Sequence, residues 1–348
     1  MNEMTEMNET LGKGSYGVVY RDKNYAIKVF NNKSHIIQEY AAGRYLDKCN
    51  NVVKVVDADF DKLELKMKLC DYSLRNWIDN NIYTQDYDKK LSIIIKDLLY
   101  GINEIHNLGL AHGDIKPGNC LIVTNPNFKL LIADLGFVAT PKYAKVERTA
   151  PVYRELNVSQ TQKSDLFSCG ILMLELLAKI KINRQASYHE INALISSKIT
   201  DTKYRSILLS LTNEDHNKRY SIKEVIKILY NDEQIFKKEP LNNIDLPQLD
   251  EISKKYIRRT IKQYSYKYDI NRPKISYIAL SNYIIENNIP KSEYDIYIGG
   301  TIFIFAAVFG KSKFKETNID SLITNTKDLN KILNKLLNNK TFLLTMYH

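Results

Sequence analysis

The run His112-Gly113-Asp114-Ile115-Lys116-Pro117-Gly118-Asn119, followed by Asp134-Leu135-Gly136, constrains this chain more than any other feature. An Asp, a Lys two residues on and an Asn five residues on can present a base, a phosphate contact and a metal ligand from one loop. The second Asp adds another metal ligand on the neighbouring strand pair. Earlier in the chain, Leu11-Gly12-Lys13-Gly14-Ser15-Tyr16-Gly17-Val18-Val19-Tyr20 is a glycine-punctuated turn between two β-prone runs. Gly12, Gly14 and Gly17 let the backbone adopt positive φ and bring its N–H groups close to phosphate oxygens. G-x-G-x-x-G alone is a weak signal, and a dinucleotide-binding reading needs a helix directly after the glycines. Val18-Val19-Tyr20 continues as strand instead, so the loop reads as a hairpin lid.

The next strand, Tyr25-Ala26-Ile27-Lys28-Val29-Phe30, alternates and carries one Lys. As an ordinary strand charge Lys28 would be solvated. Its apolar flanks favour a lysine reaching inward to phosphates, and such a cation needs a counter-charge. Glu39, on a helix predicted from Ser34 to Lys48, is the best candidate. Together these parts are the equipment for moving a phosphoryl group from a metal-bound nucleotide to a hydroxyl.

From about Leu11 to about Tyr230 the chain resembles a eukaryotic-type protein kinase. The family's third-strand A-x-K is matched by Ala26 and Lys28, its helix-C glutamate by Glu39 and its catalytic loop by His112 through Asn119. Its D-F-G is matched by Asp134-Leu135-Gly136. D-x-W-S-x-G is matched by Asp165-Leu166-Phe167-Ser168-Cys169-Gly170, and the late arginine by Arg219. The resemblance implies an α+β, bilobal fold over residues 1–235, with a β-rich N-lobe to about residue 70 and a helical C-lobe from 71. It implies that Lys28 binds the α- and β-phosphates of ATP, held by Glu39. Asp114 would accept the proton of the substrate hydroxyl, and Lys116 would neutralise the transferring group. Asn119 and Asp134 would hold two Mg²⁺ ions, with Mn²⁺ as the alternative. Adenine would sit between Val19 and Ala26 above and Leu121 below. Met67 falls at the gatekeeper position, with Lys68, Leu69 and Cys70 as the hinge. Lys116, two residues after the catalytic Asp, resembles the Ser/Thr kinases and implies a protein substrate with a Ser or Thr acceptor. His112 is read as a structural residue, as in the family.

Departures from the pattern are specific. Gly113 replaces the Arg that pairs with a phosphorylated activation loop in many kinases, so activity without that phosphorylation is expected, although Thr140, Tyr143 and Thr149 lie in the segment. Thr149 and Tyr153-Arg154 resemble the T-x-x-Y-R run with one extra residue. Glu155-Leu156-Asn157 replaces A-P-E, and Glu155 is the candidate partner of Arg219. Gly43, four residues after Glu39, stands where a bulky residue belongs and weakens the helix. H-G-D-x-x-x-x-N also occurs in aminoglycoside and choline kinases. Those usually lack the equivalents of Lys116, of the D-x-F-S-x-G helix and of the late arginine. A pseudokinase scaffold is the second alternative, opposed by the retained catalytic set.

Residues 236–248, polar with two prolines, read as a linker. Beyond them, helices are expected over Leu249–Tyr268, from Pro273, over Asp295–Phe309, near Ile319–Thr324 and over Thr326–Asn338. The Asp295–Phe309 run is almost wholly apolar but too short to span a bilayer, so it reads as a central buried helix. This layout resembles a cyclin box over 249–348, with Tyr297 to Ala307 as the central helix and Val308 in place of the family's Lys. An intramolecular cyclin-like domain would brace the helix carrying Glu39. The formal charge is +10 and the pI about 9.1. The cluster Lys254, Lys255, Arg258, Arg259 and Lys262 is read first as solvated helix charge and second as a nucleic-acid surface. Four cysteines without a C-x-x-C fit a reduced, intracellular, cytoplasmic compartment, and no membrane partner is expected. Richness in Ile, Lys, Asn and Tyr fits an AT-rich genome, viral or protist; for a virus the location would be the host cytoplasm or the virion.

Overall fold

The computed structural model describes residues 9–138, 161–183, 185–232, 249–267, 273–309 and 326–347. Thr140, Tyr143, Thr149, Tyr153, Arg154 and Glu155, the 236–248 linker and the helix expected near Ile319–Thr324 lie outside the described residues. In chain order the first elements are β1 (Thr10–Gly14), β2 (Gly17–Asp22), β3 (Tyr25–Phe30), α1 (Lys33–Tyr45), β4 (Val55–Asp59) and β5 (Glu64–Lys68). Then come β6 (Tyr72–Ser73), α2 (Leu74–Asn81), α3 (Tyr87–Asn107), β7 (Cys120–Val123), β8 (Lys129–Ile132) and α4 (Gln162–Ala178). The series continues with α5 (Tyr188–Lys198), α6 (Thr202–Leu211), α7 (Ile222–Tyr230), α8 (Glu251–Lys267) and α9 (Pro273–Glu286). It closes with α10 (Tyr294–Phe309), α11 (Thr326–Leu337) and α12 (Lys340–Tyr347). The fold is α+β, and the chain divides into two compact units.

The first unit joins the N-terminal sheet and α1 to the C-terminal helices. The sheet is antiparallel in the order β1-β2-β3-β5-β4. Because side chains alternate along a strand, the register places Ala26, Lys28, Leu65, Met67, Val55 and Ala58 on one face. Helix α1 packs against that face. Asn32 caps it by accepting the N–H of Ser34 at 2.7 Å. The helix ends at Tyr45, short of the expected Lys48. There the Leu46 N–H closes onto the Ala42 carbonyl, and the Leu46 side chain turns into the core.

The burial of α1 is unusual for a surface helix. Ile36, Ile37, Glu39, Tyr40, Ala41, Ala42 and Gly43 are all buried, so the helix is covered well beyond one stripe. The sheet covers one side, and α10, α11 and α12 cover another. Tyr40 donates to Asn338 Oδ1 at 2.8 Å, Lys33 donates to Asn330 Oδ1 at 3.2 Å, and the Tyr45 ring lies 4.5 Å from that of Tyr347. Asn330 also donates to Asp61 in the β4–β5 turn. Helix α10 fills the middle of the C-terminal group, touching α8, α9 and α11, and its residues from Tyr297 to Val308 are buried. The described bundle thus contains α12, which the sequence reading did not expect. Asn339 starts this eight-residue helix, accepting the Phe342 N–H at 2.8 Å, and Phe342, Leu343, Met346 and Tyr347 are buried. On α8, Ser253, Ile257, Ile261 and Ser265 form the buried stripe while Lys255, Arg258, Arg259 and Lys262 are exposed. No described helix is long and apolar enough to cross a membrane.

The second unit is built on α3 and α4. Leu91, Ile94, Ile95, Leu98, Leu99, Ile102 and Ile105 of α3 are buried, as is every residue of α4 from Asp165 to Leu176. Thr161 and Ser164 close a capping box at the start of α4. The small sheet β6-β7-β8 packs on α3 through β8.

The expectation for Gly43 is corrected here. A Cβ at residue 43 would lie 2.3 Å from Val55 Cγ2 and 2.7 Å from Val55 Cβ. The bulk missing from α1 is therefore supplied by Val55 on β4, and a large side chain at 43 has no room. Gly43→Ala should gain about 1 kcal/mol of helix propensity yet lose about 1–3 kcal/mol to overpacking. In a Val55→Ala background, which removes Cγ2 but keeps the Cβ at 2.7 Å, the cost of the same change should shrink. Denaturant unfolding of the four-protein cycle measures the coupling; equal effects of Gly43→Ala in both backgrounds would show that the contact does not matter.

Candidate functional site

Within the first unit, strand register decides what surrounds Lys28. It pairs with Val19 on β2 and Leu65 on β5, and Ala26 pairs with Met67. Ala26, Lys28 and Met67 therefore point to the same face as α1. Lys28 Nζ lies 2.6 Å from Glu39 Oε2; the Lys28 side chain is 11% exposed and that of Glu39 2%. The ammonium also lies 4.9 Å from the Phe30 ring centroid. Burying both charges is costly unless their geometry is good, and a 2.6 Å charge-assisted hydrogen bond meets that condition. Lys68 behaves differently from the other hinge positions. It still belongs to β5, opposite Tyr25, so its side chain lies on the face away from Lys28 and Met67. As a hinge residue it can therefore contribute its backbone, and not its side chain, where Met67 does.

Gly14 and Gly17 pair across the β1–β2 turn, with Ser15-Tyr16 as the tip. None of Gly12, Gly14 and Gly17 has positive φ, contrary to the sequence expectation. Gly17 is required by close approach instead: a Cβ there would sit 2.0 Å from the Val29 carbonyl oxygen. A Cβ at Gly12 would meet nothing within 4 Å. The Tyr16 ring packs edge-on against His35 of α1, with centroids 4.6 Å apart. The glycine turn and the Glu39 helix are thus tied through one aromatic contact that the sequence reading did not include.

Within the second unit, Asp114, Lys116 and Asn119 converge. Lys116 Nζ donates to Asp114 Oδ2 at 2.6 Å, and Asn119 Nδ2 donates to the same oxygen at 2.7 Å and to the Asp114 carbonyl at 2.9 Å. Asp114 and Asn119 are buried; Lys116 is half-buried. With both amide hydrogens of Asn119 committed to Asp114, its carbonyl Oδ1 is turned the other way. The Ala133 N–H donates to the Asn119 carbonyl at 2.8 Å, which brings Asp134 alongside this loop. Asp134 has φ 61° and ψ 70°, a left-handed conformation costly for a residue with a Cβ. Such strain persists where the surroundings impose it, commonly at functional sites. One carboxylate and one amide oxygen make a hard donor set that suits Mg²⁺ completed by phosphate oxygens. Among the described residues no cluster of three or more His, Cys, Asp or Glu forms a self-sufficient metal cage.

The loop is held by groups that are themselves buried. Asp165 at the start of α4 accepts the N–H of His112 at 2.7 Å and that of Gly113 at 2.8 Å, and lies 2.9 Å from His106 Nε2. Gly113 has φ 83°, which explains a glycine at that position independently of any activation-loop role. His112 is fully buried. It accepts the Asp114 N–H on Nδ1 at 3.2 Å and donates from Nε2 to the Ala133 carbonyl at 3.0 Å, leaving no ring nitrogen for acid–base work. Leu121 and Cys70 lie on or beside the β6–β7 pair, half-buried. The Cys70 thiol is pushed up to about 12 by burial and then by the Asp71 charge. Cys120, beside Asp114, is likewise raised to about 12, chiefly by burial. Neither is a thiolate near neutral pH. Arg219 donates to the Asn213 and Lys163 carbonyls at 2.6–3.0 Å and covers the Phe167 ring. His106 was not singled out in the sequence; its partner lies 59 residues on, which a single sequence cannot reveal.

Comparison with known proteins agrees with this geometry. The model of the protein kinase domain matches residues 5–231. The interferon-induced, double-stranded RNA-activated protein kinase of Rattus norvegicus is 26% identical over 280 residues, covering 67% of this chain and 53% of that protein. Serine/threonine-protein kinase 10 of Danio rerio is 27% identical over 219 residues, 56% of this chain and 22% of that protein. The membrane-associated tyrosine- and threonine-specific cdc2-inhibitory kinase wee-1.1 of Caenorhabditis elegans is 28% identical over 198 residues, covering 50% and 42%. The chain thus spans between about a fifth and a half of the length of these relatives. A family match over nearly two-thirds of the chain, on the same residues that build the Lys28 and Asp114 clusters, has one conclusion: the chain belongs to the protein kinase family.

Proposed function

We propose that this chain is an active, Mg·ATP-dependent protein kinase that phosphorylates Ser or Thr hydroxyls. The observation that carries the reading is the buried Asp114 carboxylate, gripped by Lys116 and Asn119. In that setting Asp114 orients the acceptor hydroxyl and takes its proton. The Lys116 ammonium, already beside it, neutralises the phosphoryl group as negative charge spreads over its equatorial oxygens. Lys28, aimed by Glu39, binds the α- and β-phosphates. Asn119 Oδ1 and the Asp134 carboxylate would hold the magnesium ions, which would supply positive charge to the phosphates. In the first unit Val19, Ala26 and Met67 are the residues proposed to contact the adenine and Gly12, Gly14 and Gly17 those proposed for the phosphates; in the second unit Cys70 and Leu121 are the adenine candidates. Lys116 favours Ser/Thr over Tyr acceptors and a protein over a small alcohol.

The same reading gives the C-terminal helices a role. A cyclin-like module fused in the chain braces the Glu39 helix by covering the side that the sheet leaves open. Its contacts are the ones that fix α1: Tyr40 to Asn338, Lys33 to Asn330 and Tyr45 against Tyr347.

Three experiments test the two halves separately. Asp114→Asn should lower the rate of phosphate transfer from labelled ATP by about 10²–10⁴-fold while leaving the unfolding midpoint and nucleotide binding near those of the parent; unchanged turnover would remove Asp114 from the mechanism. A peptide library run against a panel of small alcohols in the same assay separates protein from small-molecule acceptors. For the brace, Asn330→Ala combined with Asn338→Ala deletes the side-chain bonds to Lys33, Asp61 and Tyr40. At about 0.5–1.5 kcal/mol per bond, activity should fall several-fold with the catalytic residues intact. Parental kinetics in that double variant would mean that the bundle is merely appended.

A further inference from the structure

The face of the five-stranded sheet opposite Lys28 is not that of an ordinary solvated sheet. An antiparallel sheet with one buried face normally turns polar residues outward. Here the outward positions at the centre of β2 and β3 are Val18, Tyr20, Ile27 and Val29, cross-strand neighbours in the pairs Val18–Val29 and Tyr20–Ile27. Following the register outward gives Lys66 and Glu64 on β5 and then Asp57 and Asp59 on β4. The face carries a depression of about 690 Å³ with Tyr20, Ile27 and Val29 on its floor. Asp22 stands at one end, and Asp57, Asp59 and Glu64 form the far wall. Four carboxylates thus line it against one ammonium, that of Lys66, which lies 4.1 Å over the Tyr25 ring. In a chain with formal charge +10 this local reversal of sign is a distinct feature.

The acids are not explained by local structure alone. Asp59 accepts the N–H groups of Asp61 and Lys62, both at 3.0 Å, and so closes the β4–β5 turn. Asp57 accepts the N–H of Ala58 at 2.8 Å. Each still presents its carboxylate charge to the depression. They are also too spread out to act as a metal site: neighbouring strands lie about 4.8 Å apart, and Asp22 and Asp57 are three strand spacings from one another. No described group of three acids converges. A dispersed negative wall beside an apolar floor suits an extended chain that lays down several cations and one hydrophobic side chain.

We propose that this face of the sheet is a docking site for a basic segment of a partner protein, with Lys or Arg residues flanking one aliphatic or aromatic anchor. The anchor lies on Tyr20, Ile27 and Val29, and the cations face Glu64, Asp57, Asp59 and Asp22. Nucleic acid is excluded as the occupant by the sign of the charge. The site recruits its partner on the face of the sheet opposite Lys28.

The probe is a fluorescein-labelled peptide, Lys-Arg-Ile-Leu-Lys-Arg, which contains no acceptor hydroxyl, titrated into the full chain without nucleotide. Saturable binding that weakens with added salt is expected. Asp57→Lys combined with Glu64→Lys should weaken it by about tenfold or more, whereas Lys66→Glu should strengthen it. Replacing both apolar residues of the peptide by Gly should cost about threefold or more. These substitutions sit at solvent-facing strand positions and should leave the unfolding midpoint nearly unchanged. Equal affinity for parent, charge-reversed and Lys66→Glu proteins would overturn the proposal, as would indifference to the apolar anchor. Binding that appears only after Lys311, Lys313, Phe314 and Lys315 are replaced by Gly or Ser would also overturn it, by naming an occupant from within the chain.

Discussion

The structure depends on α1 being held in place while it carries a buried charge. The Lys28–Glu39 ion pair cannot do that holding. Two charges taken out of water lose several kcal/mol each of hydration, and their attraction does little more than offset the loss. Nor can the helix hold itself: thirteen residues with a glycine inside are marginal without tertiary support. What fixes α1 is burial. Ile36, Ile37 and Tyr40 are 0–1% exposed, and each such side chain contributes about 1.5–3 kcal/mol on leaving water. Part of that burial is against the sheet and part is against α10, α11 and α12. Packing positions the helix, and the helix then positions the carboxylate.

The catalytic loop follows the same logic with a different agent. There a single buried carboxylate, Asp165, collects two backbone N–H groups and a histidine from three chain positions. An orphaned carboxylate in α4 would be expensive; satisfied by three donors it becomes a rigid anchor. Because Gly113 is one of the donors and sits at positive φ, the turn before Asp114 is set by backbone geometry. Asp114 then needs only Lys116 and Asn119 to complete its surroundings, and both come from the same loop.

Much of this was legible in the residues because it is local. The β1–β2 hairpin, the inward direction of Lys28 and the buried character of α10 follow from alternation, spacing and composition, and the inert role of His112 from the family resemblance. What escaped is non-local or depends on shape. The Gly43–Val55 fit needs the distance between a helix and a strand. The His106–Asp165 and Tyr16–His35 contacts join residues with no periodic relation. Helix α12 is only eight residues long, and its start is signalled by Asn339, one of two consecutive asparagines that also read as a loop. The glycine turn was misjudged in its reason: the constraint is the approach of the Val29 carbonyl to Gly17, and no glycine there uses left-handed backbone.

In a kinase whose Glu39 helix is free to swing, part of any activating contact is consumed in ordering that helix. Here the ordering contacts lie within one chain and one compact unit, so their effective concentration does not depend on a separate partner. Under the proposed reading the balance shifts from assembly to recognition: the cost of arranging the Lys28–Glu39 pair is met during folding, and interactions with other molecules decide which substrate arrives. A sheet whose outward face is apolar at its centre and acidic along one side is consistent with that division, since it carries chemistry that neither the α1 brace nor the Asp114 loop requires.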